Sequence, residues 1–134
     1  MANSAILYKK YLEIFSTEKF RLLQRKGANI QRLLWGSTST KNPVYSDIKY
    51  VTELIGQNTV NTVPDKTFNA FLDHGVVMEA LTSDIEDAQK IIDELRDFEI
   101  EINDVCKKLL QDGVIAFEKS FDSLLNSIEK KAKR

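Results

Sequence analysis

The chain has 134 residues, a net charge of −1, and a composition 43% hydrophobic and 29% charged. That is enough apolar side chain for one small globular domain and too much for a disordered chain, and the charge is too balanced for a dedicated nucleic-acid binder. No apolar run spans a membrane, Met1-Ala2-Asn3-Ser4 lacks a signal-peptide pattern, and a lone Cys106 excludes an intrachain disulfide and predicts a reducing, cytoplasmic compartment.

Residues 4–17 read as a helix, with Asn3 or Ser4 as its cap and Leu7, Tyr11, Ile14 and Phe15 at the helical period. A second helix covers 18–26, with Phe20, Leu22 and Leu23 apolar and Gly27 as a left-handed stop. Residues 30–36, IQRLLWG, read as a short buried strand, and Ser37 to Pro43 as a loop, because Pro43 disfavours helix at Asn42. Ser46-Asp47 starts a helix carrying Ile48, Val51, Leu54 and Ile55, and Gly56 ends it. Residues 59–63, TVNTV, read as a second strand. Pro64 opens the next helix, which runs to His74 with Phe68, Phe71 and Leu72 inward and Gly75 as its stop. Two strands joined through a helix predict a βαβ unit, hence a parallel α/β sheet.

From residue 82 the chain reads as helical throughout. Ser83 and Glu86 have the spacing of a capping box, followed by a stripe of Ile85, Ala88, Ile91, Ile92 and Leu95. Asn103 or Asp104 caps a further helix holding Val105, Leu109 and Leu110, with Cys106 as a small buried hydrophobe. Gly113 interrupts it, and a last helix holds Val114, Phe117, Phe121, Leu124, Leu125 and Ile128. There is no internal repeat and no low-complexity stretch.

Charge is unevenly spread. Residues 1–41 hold eight basic against two acidic side chains, and residues 82–134 hold nine against thirteen. No aromatic-basic interleaving or DNA-reading motif accompanies the basic end, so it reads as a solvated helix face and no nucleic-acid or membrane partner is expected. A Cys/His zinc site cannot be built from Cys106 and His74 alone, and no cofactor is implied. A serine-type triad would depend on that single histidine, which reads instead as support for a helix C-terminus.

The run Arg32-Leu33-Leu34-Trp35-Gly36-Ser37-Thr38-Ser39-Thr40-Lys41-Asn42-Pro43-Val44-Tyr45-Ser46-Asp47 resembles the late-barrel segment of transaldolases, above all a bacterial subfamily. Val60-Asn61-Thr62-Val63-Pro64-Asp65-Lys66-Thr67 and the following Asp73-His74-Gly75 resemble the next strand end of the same proteins. The opening Ala2-Asn3-Ser4-Ala5, with Tyr8 and Tyr11, resembles the helix before these strands, and Phe117 to Asp122 with Leu124-Leu125 resembles the closing helix.

The resemblance implies a partial (β/α)8 TIM barrel: the last two parallel strands with flanking helices over 1–81, and terminal helices over 82–134. It implies a transferase of the pentose phosphate pathway. Such an enzyme moves a dihydroxyacetone unit from sedoheptulose 7-phosphate to glyceraldehyde 3-phosphate, through a lysine Schiff base. In the family that lysine lies on a mid-barrel strand, ahead of the segment matched here. A barrel needs at least about 200 residues, and neither predicted strand contains a lysine. The chain is therefore expected to be a C-terminal portion, with no catalytic residue of its own and no activity alone.

Within it, Ser37, Thr38, Ser39 and Lys41 combine hydroxyls, loop N–H groups and a cation at a strand C-terminus, which suits a sugar phosphate. The resemblance places the family's sugar-phosphate loop here; better-known members have an arginine nearby, and here the cation would be Lys41. Asn61 and Thr62 are strand-end candidates, set against a role in satisfying nearby backbone; Trp35 reads as packing. The alternative is a non-catalytic helical interaction module derived from the barrel. Open strand edges predict self-association, or pairing with the missing barrel portion.

Overall fold

In the computed structural model, which describes residues 1–82 and 86–133, the chain opens with α1 (Ala2–Ser16). Tyr8 and Tyr11 are one turn apart, so they share a face, and both are buried. Asn3 and Ser4 are not its cap: the helix already includes them, and the Met1 carbonyl accepts the N–H of Ser4 and of Ala5. Thr17 takes an extended conformation that ends α1. Its hydroxyl accepts the Phe20 N–H at 3.2 Å, so it caps α2 (Glu18–Gln24). Gly27, at φ +95°, then reverses the chain in the left-handed region expected for it.

Strands β1 (Leu33–Trp35) and β2 (Thr59–Asn61) pair in parallel, with Leu33 opposite Thr59, Leu34 opposite Val60 and Trp35 opposite Asn61. Each is shorter than the apolar run that predicts it, because a ladder extends only where both strands run side by side. The crossover between them carries α3 (Lys49–Thr52). This helix starts after Asp47 and ends before Leu54, yet Ile48, Val51 and Leu54 are buried at the expected three-residue spacing. The Ser46 hydroxyl accepts the Ile48 N–H at 3.4 Å, so the helix-starting role of Ser46 is a turn just ahead of the helix. The Thr52 hydroxyl donates to the carbonyls of Ile48 and Lys49, closing the helix on itself.

Behind the sheet, Tyr8, Tyr11, Trp35, Leu54 and Leu81 form the core, with Ala5, Leu12, Phe15, Leu33 and Tyr50 packed against it. Leu81 arrives on a returning segment, where the N–H groups of Ala80 and Leu81 both donate to the Ile55 carbonyl at 2.9 Å. An aromatic series runs from Tyr11 to Phe15 (centroids 5.0 Å) and on to Phe20 in an edge contact (4.7 Å), joining α1 to α2.

After β2, Pro64 opens α4 (Asp65–His74) as expected. Of the expected inward set Phe68, Phe71 and Leu72, Phe71 is half-buried and the other two are corrected. Phe68 is 51% and Leu72 68% exposed, and the buried residue is Thr67. A two-stranded sheet offers too narrow a surface to cover the whole apolar stripe. Gly75 does end α4, but at φ −75° it is not left-handed. A Cβ there would lie 2.4 Å from the Phe71 carbonyl oxygen, so crowding, not backbone angle, calls for glycine.

The chain divides into two compact units, residues 1–91 and residue 92 onward. The helix α5 (Glu86–Glu94) is followed by a short 3-10 turn (Leu95–Phe98) and by α6 (Ile102–Ala132). Ser83 and Ile85, and with them the expected capping box, lie outside the described residues. Asn103 and Asp104 are inside α6, whose N-cap is Glu101. The expected interruption at Gly113 is also corrected: α6 is one helix of 31 residues. An interior glycine costs only about 1 kcal/mol, less than restarting a helix. No residue of α6 is buried and Cys106 is exposed, not a buried hydrophobe, since one long helix has no second layer of its own to pack on. No helix of the described residues is long and apolar enough to cross a membrane.

Candidate functional site

Both strands end at the same side of the parallel sheet, and the segments leaving them converge there. Ser37 turns the chain with φ +56°, a conformation non-glycine residues take at some cost. The turn drives Thr38 inward: it is 3% exposed, and its hydroxyl donates to Asn61 Oδ1 at 2.7 Å. Thr62 makes the reciprocal tie, its N–H and hydroxyl both donating to the Trp35 carbonyl at 2.9 and 3.0 Å. Thr38, Asn61 and Thr62 therefore lock the two strand ends together.

Above that lock lies a cleft of about 300 Å³, lined by Ser39, Thr40, Lys41, Asp47, Pro64, Lys66, Thr67 and Ala70. One wall is the loop after β1. The other is the first turn of α4. Of the loop candidates, Ser39 and Lys41 line the cleft; Ser37 and Thr38 are spent on the turn and the lock. Among the described residues neither Lys41 nor Lys66 has a carboxylate within ion-pair distance. Thr67 is 5% exposed, and its hydroxyl makes no hydrogen bond to another described residue.

Asp47 brings a negative charge to the same cleft, and His74 answers it. Nε2 of His74 lies 3.0 Å from Asp47 Oδ1, and Nδ1 lies 3.2 Å from Asp73 Oδ2. The hydrogen bond to Asp47, then that to Asp73, raise the histidine above its ordinary value. Thus His74, read from sequence as mere support for the helix end, bridges α4 to the loop before α3. Trp35 packs in the core, away from the cleft; its Nε1 is buried without a partner. Among the described residues no group of three or more His, Cys, Asp or Glu could hold a metal ion.

Sequence reasoning passed over Lys66, Thr67 and Asp47. The clue was present: a proline at the start of a helix that follows a strand puts the next three residues on that helix's first turn, beside the strand's C-terminal end.

The sequence matches the Transaldolase/Fructose-6-phosphate aldolase family over residues 2–128. The chain belongs to that family. It is 46% identical over 136 residues to the transaldolase of Trichodesmium erythraeum (strain IMS101), covering 100% of this chain and 36% of that protein. Transaldolase 2 of Nostoc sp. (strain PCC 7120) is 44% identical over 135 residues, covering 99% and 35%. The transaldolase of Mycobacterium tuberculosis (strain H37Rv) is 44% identical over 127 residues, covering 93% and 34%. The chain thus spans about a third of the length of these relatives. Family membership implies a TIM-barrel-type fold, and a mostly helical chain with one parallel strand pair is consistent with part of such a barrel.

Proposed function

We propose that this chain is the late-barrel part of a cytoplasmic transaldolase, contributing the last two strands, the sugar-phosphate end of the active site and the terminal helices. The observation that carries this reading is the cleft at the C-terminal ends of β1 and β2, where Ser39 and Lys41 stand on the loop. Barrel enzymes display their active sites on that face and often hold phosphate in the loops after the last strands. Lysine offers a point charge where an arginine would offer a planar fork, so the grip on phosphate is charge-led. The Schiff-base lysine and early-strand groups would come from the remainder of the barrel. The chain alone transfers no dihydroxyacetone unit between sugar phosphates.

The test is a coupled assay with fructose 6-phosphate and erythrose 4-phosphate. The purified chain is expected to give no turnover. Mixing it with a polypeptide carrying the rest of the barrel is expected to restore turnover, and Lys41→Met to raise KM in that mixture. Turnover by the chain alone overturns the proposal.

A further inference from the structure

The loop after β1 is only one wall of the cleft. The opposite wall is the start of α4, a helix of ten residues whose N-cap is Pro64. Proline supplies no side-chain cap, and none forms. The Phe68 N–H is the first in this helix to reach a backbone acceptor, the Pro64 carbonyl at 2.9 Å. The N–H groups of Asp65, Lys66 and Thr67 therefore find no acceptor among the described residues, which leaves three donors at the positive end of a helix.

A bare helix end is common; this one has a second feature. Thr67 lines the cleft and is 95% buried, yet its hydroxyl bonds to nothing among the described residues. Its oxygen is not sealed off: among the described residues the buried side-chain N or O atom left without a partner is Trp35 Nε1, so the Thr67 hydroxyl stays within reach of solvent and of a ligand. Thr38, equally buried 29 positions earlier, holds Asn61 at 2.7 Å. A hydroxyl free to donate on the first turn, beside free N–H groups and Lys66, can serve an added acceptor.

Charge points to what kind of acceptor. Lys41 and Lys66 stand on opposite walls, and neither is neutralised by a described carboxylate. Asp47, the one acidic residue of the lining, is engaged by His74. Among the described lining residues the cleft therefore sets two cations against one carboxylate, itself hydrogen-bonded to His74, which leaves a net attraction for an anion. Resting on the reading of the Ser39–Lys41 loop as the phosphate end of the site, we propose that Lys66 and Thr67 are further phosphate-contacting residues. They close the cleft from the α4 side and hold the phosphoryl group of a sugar phosphate between two lysines.

The experiment titrates inorganic phosphate into the full chain at low ionic strength, followed by amide NMR, with far-UV circular dichroism confirming that each variant stays folded. Lys66→Met is expected to weaken binding about tenfold, the size of one charge-assisted contact, and Thr67→Val about threefold. Lys66→Arg should retain most of the affinity, and Lys26→Met, an exposed cation outside the cleft, should bind as the wild type does. If Lys41→Met weakens binding while Lys66→Met and Thr67→Val do not, the proposal is overturned and the loop reading stands. If Lys66→Met weakens binding and Lys41→Met does not, the α4 contact is supported and the loop reading is overturned. A wild-type chain that binds no phosphate overturns both.

Discussion

Trp35 sets an apolar gain against a polar loss within one side chain. It is 8% exposed in the core beside Tyr8 and Tyr11, but its indole N–H is buried without an acceptor. An unmade hydrogen bond of this kind costs about 1–3 kcal/mol. Trp35→Phe removes the orphan donor and some volume, so the two effects oppose, and chemical denaturation should place it within about 1.5 kcal/mol of wild type. Trp35→Ala only removes packing and should lose about 3–5 kcal/mol. Equal losses for both would mean that the ring's full volume, not its burial, is what the core requires. Thr38 obeys a different rule. Thr38→Val keeps the shape but strands Asn61 Oδ1, so a loss of about 1–2 kcal/mol is expected. An unchanged midpoint would show that the strand ends need no lock. That Trp35 packs in the core was legible in the sequence, because an aromatic in a short apolar run has few other roles. Thr67 was not legible. Hydrophobic periodicity ranks side chains by polarity, and it chose Phe68 and Leu72, which the structure leaves exposed.

At the scale of elements, the order helix, helix, strand, helix, strand, helix could be read directly, since Gly27, Pro64 and Gly75 mark ends that the chain obeys. What could not be read was tertiary in origin. A three-residue ladder is set by how far two strands overlap, and a helix crossing Gly113 by the small cost of that residue. The strand-end motifs placed Ser39 and Lys41 beside the cleft, but α4 supplied half of it unannounced. The junction between α4 and the loop before α3 makes its own prediction. His74 faces Asp47 and Asp73, and Lys41 and Lys66 share the cleft with Asp47. Its pKa is raised in the folded chain, so its contribution to stability is complete below the unfolded value of about 6.5 and is lost as pH rises through the folded value. The groups are substantially exposed, so the effect is modest and screened by salt. Melting temperature should therefore fall between pH 6 and pH 8 in low salt, and His74→Gln should flatten that slope. A slope identical in the variant would assign the dependence to other groups.

At the scale of the whole molecule, the question is what the first unit leaves uncovered. A two-stranded sheet has an open edge on each strand, and such edges pair readily with other chains. Beside β1 lies an apolar hollow of about 230 Å³, lined in part by Leu7, Tyr11, Ile14, Phe15 and Leu33. Leu7 and Ile14 are 48% and 49% exposed, although both belong to the periodic apolar set of α1. The sequence marks them as inward; the first unit brings nothing to meet them. A helix that presents apolar residues on two faces is built to lie between two layers, and the described residues of the first unit supply only one. With a net charge of −1, little repulsion keeps copies apart. The chain should therefore self-associate over micromolar to millimolar concentrations, seen as a sedimentation coefficient that rises with loading. Leu7→Glu combined with Ile14→Glu should lower that association without shifting circular dichroism, because neither side chain is in the buried core. On the reading proposed above, the same double change should also weaken capture of a polypeptide carrying the rest of the barrel. A wild-type chain that sediments as a single monomer at every concentration and binds no hydrophobic dye would show that this surface needs no partner.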